Sequence, residues 1–83
     1  MEIKILGTGC SRCRKLYAEA EQAIARSGLP VALTKVEDLD GIIAYGVLTT
    51  PALVIDDEVV SVGRIPRAAE IVTLITSRAG TPS

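Results

Sequence analysis

Four consecutive apolar residues, Ala52-Leu53-Val54-Ile55, stand between Pro51 and the acidic pair Asp56-Asp57. A strand without a polar residue on either face needs cover on both faces, as the central strand of an α/β sandwich has. In a chain of 83 residues that cover has to come from helices of the same domain, because an added domain takes roughly a hundred residues more. The remaining elements follow from periodicity and punctuation. Ile3-Lys4-Ile5-Leu6 is a short β-rich run closed by the turn Gly7-Thr8-Gly9. Cys13, Leu16/Tyr17, Ala20 and Ile24 recur at spacings of three and four, which predicts a helix over 11–27, stopped by Gly28 and Pro30. Arg14, Lys15, Glu19, Glu21 and Arg26 occupy its other side, with Lys15 and Glu19 spaced for an i,i+4 pair.

A second strand is expected over 31–36. Asp38 then caps a short helix running to Tyr45 and ended by Gly46, with Gly41 a poor helix former inside it. Asp56-Asp57 connects the apolar strand to a partner over 58–62 as a two-residue hairpin. Pro66 suits the first turn of a last helix, whose stripe is Ile65, Ala68/Ala69, Val72, Ile75 and Ala79. The expected fold is α/β in the order β-α-β-α-β-β-α, a four-stranded mixed sheet flanked by helices. It forms one domain over 1–79, with 80–83 as a frayed tail.

Composition narrows the chemistry. There is no His, which removes Ser–His and Cys–His catalysis and imidazole ligands. Two Tyr with no Phe or Trp leave no stacking platform for single-stranded nucleic acid, and a net charge of −1 gives no general pull on phosphate backbones. The opening residues lack a basic stretch followed by a long apolar one, and the longest uncharged stretch, 41–55, is too short and interrupted to span a bilayer. A cytoplasmic protein without nucleic-acid or membrane partners, and a monomer, is the expectation.

Two cysteines remain, at Cys10 and Cys13, separated by Ser11 and Arg12. In a reducing compartment such a pair is catalytic or metal-binding more often than a static staple, and the short loop it closes stabilises little. The pair lies where a strand and a glycine turn hand over to a helix, whose first turn offers unsatisfied N–H donors and the positive end of the macrodipole. A Cys10 thiolate suits that position, and Arg12, Arg14 and Lys15 push the same way. Helix phase puts Cys13 on the core-facing stripe and leaves Cys10 the more accessible. Cys10 is therefore assigned as the attacking thiolate and Cys13 as the resolving thiol, with the pair itself as the redox group and neither cofactor nor metal required.

Thr49-Thr50-Pro51 precedes the apolar strand, and Gly63 leads into the final helix. A C-x-x-C opening the first helix, a Thr-Pro before the third strand, a tight hairpin and this glycine together resemble the thioredoxin/glutaredoxin superfamily. The resemblance runs from Glu2 to about Ala79 and is nearest to the compact small redox-active disulfide proteins of archaea and bacteria, a minimal glutaredoxin-like core. It implies that Pro51 matches the proline that packs, cis, over the redox pair, and that the Thr50 backbone pairs with an extended substrate segment. Ser11, Arg12 and Gly63 take supporting places. The implied activity is thiol–disulfide exchange with protein disulfides, with a flavin-dependent disulfide reductase as electron donor. Several positions depart from the larger families. Gly9 stands where thioredoxins proper carry an aromatic residue, and Lys4 where they carry a buried carboxylate. Ser11-Arg12 replaces the Pro-Tyr of glutaredoxins, and Gly63-Arg64 is all that remains of their glutathione-binding Gly-Gly-acidic segment.

The main alternative is a soft-metal protein or metallochaperone holding Cu(I) or zinc on the same cysteines. Against it stand the helical period of 65–79, where heavy-metal-associated domains end in a strand, Thr8 in place of their Met, and the Thr50-Pro51 pair for which they have no use. A binding module with an incidental C-x-x-C is a third reading. Tyr17 and Tyr45 are expected to be half-buried packing residues without chemistry, and Asp56-Asp57-Glu58 only a turn. Lys4 either meets solvent or lies beneath the redox pair.

Overall fold

The computed structural model describes residues 1–9 and 11–79; Cys10 and residues 80–83, with the roles expected of them, lie outside the described residues. The strands are β1 (Glu2–Leu6), β2 (Ala32–Val36), β3 (Ala52–Ile55) and β4 (Glu58–Val62), and the helices α1 (Ser11–Ser27), α2 (Leu39–Ala44) and α3 (Ala68–Ala79). They follow one another as β-α-β-α-β-β-α. The sheet order is β2-β1-β3-β4, with β1 parallel to β2 and antiparallel to β3, and β3 antiparallel to β4. The mixed sheet flanked by helices is thus the architecture its apolar strand demands.

All four residues of β3 are buried. Leu53 and Ile55 join Ile3 and Ile5 of β1 against Leu16, Ala20 and Ala23 of α1 and Ala68, Ile71 and Ile75 of α3. Ala52 and Val54 face the other way, with Leu6, onto Ile42 of α2 and Val47. The period-two alternation of a strand divides the core into a larger α1/α3 layer and a smaller α2 layer.

Local chemistry sets the turns. Asp56 and Asp57 have φ of 49° and 67°, the left-handed pair that a type I′ hairpin requires. Asp38 caps α2, its Oδ2 accepting from the Gly41 N–H at 2.8 Å. Gly41 interrupts a helical sequence for a steric reason: a Cβ there would lie 2.7 Å from Val36 Cγ1 and 3.0 Å from the capping carboxylate. One boundary differs from expectation. α3 begins at Ala68, and Pro66 sits buried just ahead of it. The Arg67 carbonyl accepts the first helical bond, from Ile71 at 3.0 Å, while the Ala68 N–H donates to Glu19 Oε1 of α1 at 2.8 Å. Glu19 thus serves α3, and among the described residues it forms no ion pair with Lys15.

Candidate active site

β1 and β3 leave the sheet at the same end, where Leu6 pairs with Ala52. Past Leu6 the chain turns through Gly7, whose N–H donates to the Val36 carbonyl at 3.0 Å. α1 starts at Ser11, which is exposed at the helix mouth. Its first turn carries no acidic residue, and Arg12 and Arg14 project from it into solvent. Positive charge thus gathers where the macrodipole is already positive. Cys13 is 5% exposed, as its place on the apolar stripe predicts.

Cys13 packs directly against Gly7. A Cβ built on Gly7 would run into Cys13 Sγ, and would meet Cys13 Cβ at 3.1 Å and Thr50 Cβ at 3.9 Å. Cys13 therefore shares one small volume with the backbone of Gly7 and the side chain of Thr50. The Thr50–Pro51 peptide bond is cis, and Pro51 is fully buried. Its carbonyl accepts from the Gly63 N–H at 2.8 Å, and the Gly63 carbonyl accepts from Arg12 Nη2 at 2.8 Å. The Thr49 methyl lies against Gly63, 3.1 Å from where a Cβ would stand. Arg14 Nη1 donates to the Gly9 carbonyl at 3.2 Å. Of the residues singled out from the sequence, Ser11, Arg12, Cys13, Thr50, Pro51 and Gly63 all converge on this end of the sheet. Cys10 lies outside the described residues.

One position carries weight that sequence reasoning missed. Gly7 belongs to the turn the sequence shows, yet its missing side chain makes the room for Cys13. A shallow open recess lies beside Cys13, walled in part by Tyr17, Lys35 and Glu37, with the Lys35 ammonium 4.7 Å from the Tyr17 ring centroid.

Lys4 lies on the α2 face, reaching toward the hairpin and away from Cys13. Its Nζ donates to Tyr45 Oη at 2.7 Å, and Tyr45 Oη donates to Asp57 Oδ1 at 2.9 Å. Nζ is also 3.5 Å from Asp57 Oδ1. The hydrogen bond from Tyr45, and then the Lys4 charge, hold the Asp57 carboxyl below the ordinary carboxylate range. The bond to Tyr45 raises Lys4 above the ordinary lysine value, burial opposing it. Tyr45 and Asp57, expected to be packing and turn residues, are partners in this network.

A thioredoxin-domain family matches residues 1–76 of the chain. The chain belongs to the thioredoxin family. A curated thioredoxin of Methanothermobacter thermautotrophicus is 32% identical over 76 residues, covering 92% of this chain and 99% of the relative. One of Methanocaldococcus jannaschii is 38% identical over 69 residues, covering 83% of this chain and 79% of the relative. Thiol–disulfide oxidoreduction, in general terms, goes with that membership. Among the described residues no helix is long and apolar enough to cross a membrane.

Proposed function

We propose that the chain exchanges electrons with protein disulfides through Cys10 and Cys13. The Cys10 thiolate attacks one sulfur of a substrate disulfide, forming a mixed disulfide and releasing a substrate thiolate that takes up a proton. Cys13 loses its proton and attacks the Cys10 sulfur, forming the Cys10–Cys13 disulfide and releasing the second substrate thiol. The substrate gains two electrons from the cysteine pair and two protons, one released by Cys13 and one taken from solvent. A flavin-dependent disulfide reductase restores the dithiol. The cysteine pair is the whole redox group, so the reaction calls for no cofactor. The cytoplasm, where such a donor keeps dithiols reduced, is the proposed setting, and a monomer the working form.

The observation that carries this reading is the packing of Cys13 against Gly7 and beside Thr50-Pro51, at the start of α1. The enclosure of this thiol supports a resolving role and speaks against direct attack on a large substrate. The Thr50 backbone, just ahead of β3, is the segment on which an extended substrate strand would pair. Arg12 and the N-terminus of α1 supply the positive field that favours a thiolate.

Alkylation rates of the Cys10→Ser and Cys13→Ser variants across pH test the division of roles. Cys10, left alone in the Cys13→Ser variant, should react faster near neutrality and titrate below the ordinary thiol value of about 8.5. Faster reaction of Cys13 would reverse the assignment. Sulfurs inert to dithiothreitol, or held around an ion in freshly isolated protein, would replace exchange with the soft-metal reading.

A further inference from the structure

Building on the exchange reading, we infer that the surface running from Leu48 across Gly63 to Lys15 and Arg67 docks the disulfide-bearing partner. It selects a polypeptide with an apolar side chain on one flank of its cystine and carboxylates on the other.

Leu48 is 93% exposed, yet the loop that carries it is held on both sides. Val47 before it is buried in the α2 layer. Thr49 after it lies against Gly63, and Thr50 beside Gly7 and Cys13. A large apolar side chain displayed from a fixed loop, three residues ahead of the buried Pro51, is ready-made contact area for whatever approaches the redox pair.

The other half of the surface is basic. Arg12 spans to the Gly63 carbonyl, and one turn along the same face of α1 comes Lys15. Lys15, Ile65 and Arg67 border one open depression together with Glu19. The carboxylates nearby are already engaged, Glu19 with the Ala68 N–H and Glu70 with Arg64. Among the described residues neither Lys15 nor Arg67 has a carboxylate within ion-pair distance. This edge is therefore positive although the chain as a whole carries a net charge of −1. The acidic residues stand elsewhere: Glu37 lies beside Gly9, 3.2 Å from where a Cβ there would stand, and Asp38 and Asp40 follow it into α2, so the field has a direction. A partner's carboxylates are drawn toward α1 and α3, which leaves its apolar flank over Leu48.

The test uses the reduced full chain and two synthetic cystine peptides. Both carry leucine on one flank; one carries three glutamates on the other, and its twin three lysines. Each rate is divided by the same protein's rate with oxidised dithiothreitol. The acidic peptide should react about tenfold faster at low salt, the advantage fading by roughly 0.5 M NaCl. The Lys15→Glu/Arg67→Glu double variant should reverse the order of the peptides, and Leu48→Ser should slow both severalfold. Equal wild-type rates for the two peptides at low salt would overturn the inference. Absence of reaction even with oxidised dithiothreitol would instead remove the exchange reading, and this inference with it.

Discussion

Gly7 and Ser61 show what single positions contribute. At Gly7 an added methyl has nowhere to go but into the Cys13 sulfur. Because the neighbours include backbone and the thiol itself, Gly7→Ala should cost about 1–3 kcal/mol by overpacking and slow disulfide exchange. Urea unfolding and the exchange rate check this together, and a fall in stability without a change in rate would separate the packing role from the redox one. Ser61 presents the opposite case. Its Oγ is buried without a hydrogen-bond partner among the described residues, opposite Leu53 in the β3–β4 ladder. Leaving a hydroxyl unpaired costs free energy that an alanine does not incur. Ser61→Ala should raise stability by about 1 kcal/mol, read as a higher denaturant midpoint at unchanged slope; a lower midpoint would mean that the hydroxyl is satisfied after all.

Between elements, the Lys4–Tyr45–Asp57 chain joins β1, the end of α2 and the β3–β4 turn. Asp57 is acidified by folding, so it binds its proton less readily in the native state than in the unfolded one. The stability linked to it is present above the ordinary carboxylate value of about 3.9 and is lost as pH falls through the lower native value. Lys4 is shifted upward, so its share is present below about 10.4 and is lost as pH rises through the raised value. Wild type should therefore lose stability more steeply than Asp57→Asn as pH falls below about 3.9. Parallel curves in that range would show that Asp57 titrates alike in both states.

None of this network was legible beforehand, whereas α1 was, nearly to the residue. Its stripe repeats within a few residues, and Gly28 and Pro30 stop it locally. Lys4 and Tyr45, by contrast, are 41 residues apart, Glu19 and Ala68 are 49 apart, and Arg12 and Gly63 are 51 apart. Such pairs leave no periodic trace, since each is made only once the strands have aligned. The same reason hid the fit between Gly7 and Cys13, where a turn glycine reads alike whether or not a sulfur lies behind it. Cys13, Thr50 and Pro51 were legible because their local settings, a helix opening and a strand opening, are both written in neighbouring residues.

At the scale of the whole molecule the two layers are unequal. α1 and α3 bury Leu16, Ala20, Ala23, Ile71 and Ile75 against the sheet, while α2 contributes Ile42 alone as a buried residue of its own. Leu39 and Ile43 of α2 stay exposed. Local opening follows buried contact, so amide hydrogen exchange should show α2 opening at clearly lower free energy than α1 and α3. Equal protection in all three helices would mean that the fold opens only as a unit. The layer on the other face is braced further by Glu19, which leaves α1 to hold the first N–H of α3. Sliding either helix by one turn, about 5.4 Å, would tear that bond and leave the first N–H of α3 without its acceptor. The two long helices consequently act as a single rigid bed, and whatever motion accompanies the making and breaking of sulfur bonds falls to the short connections at its front edge.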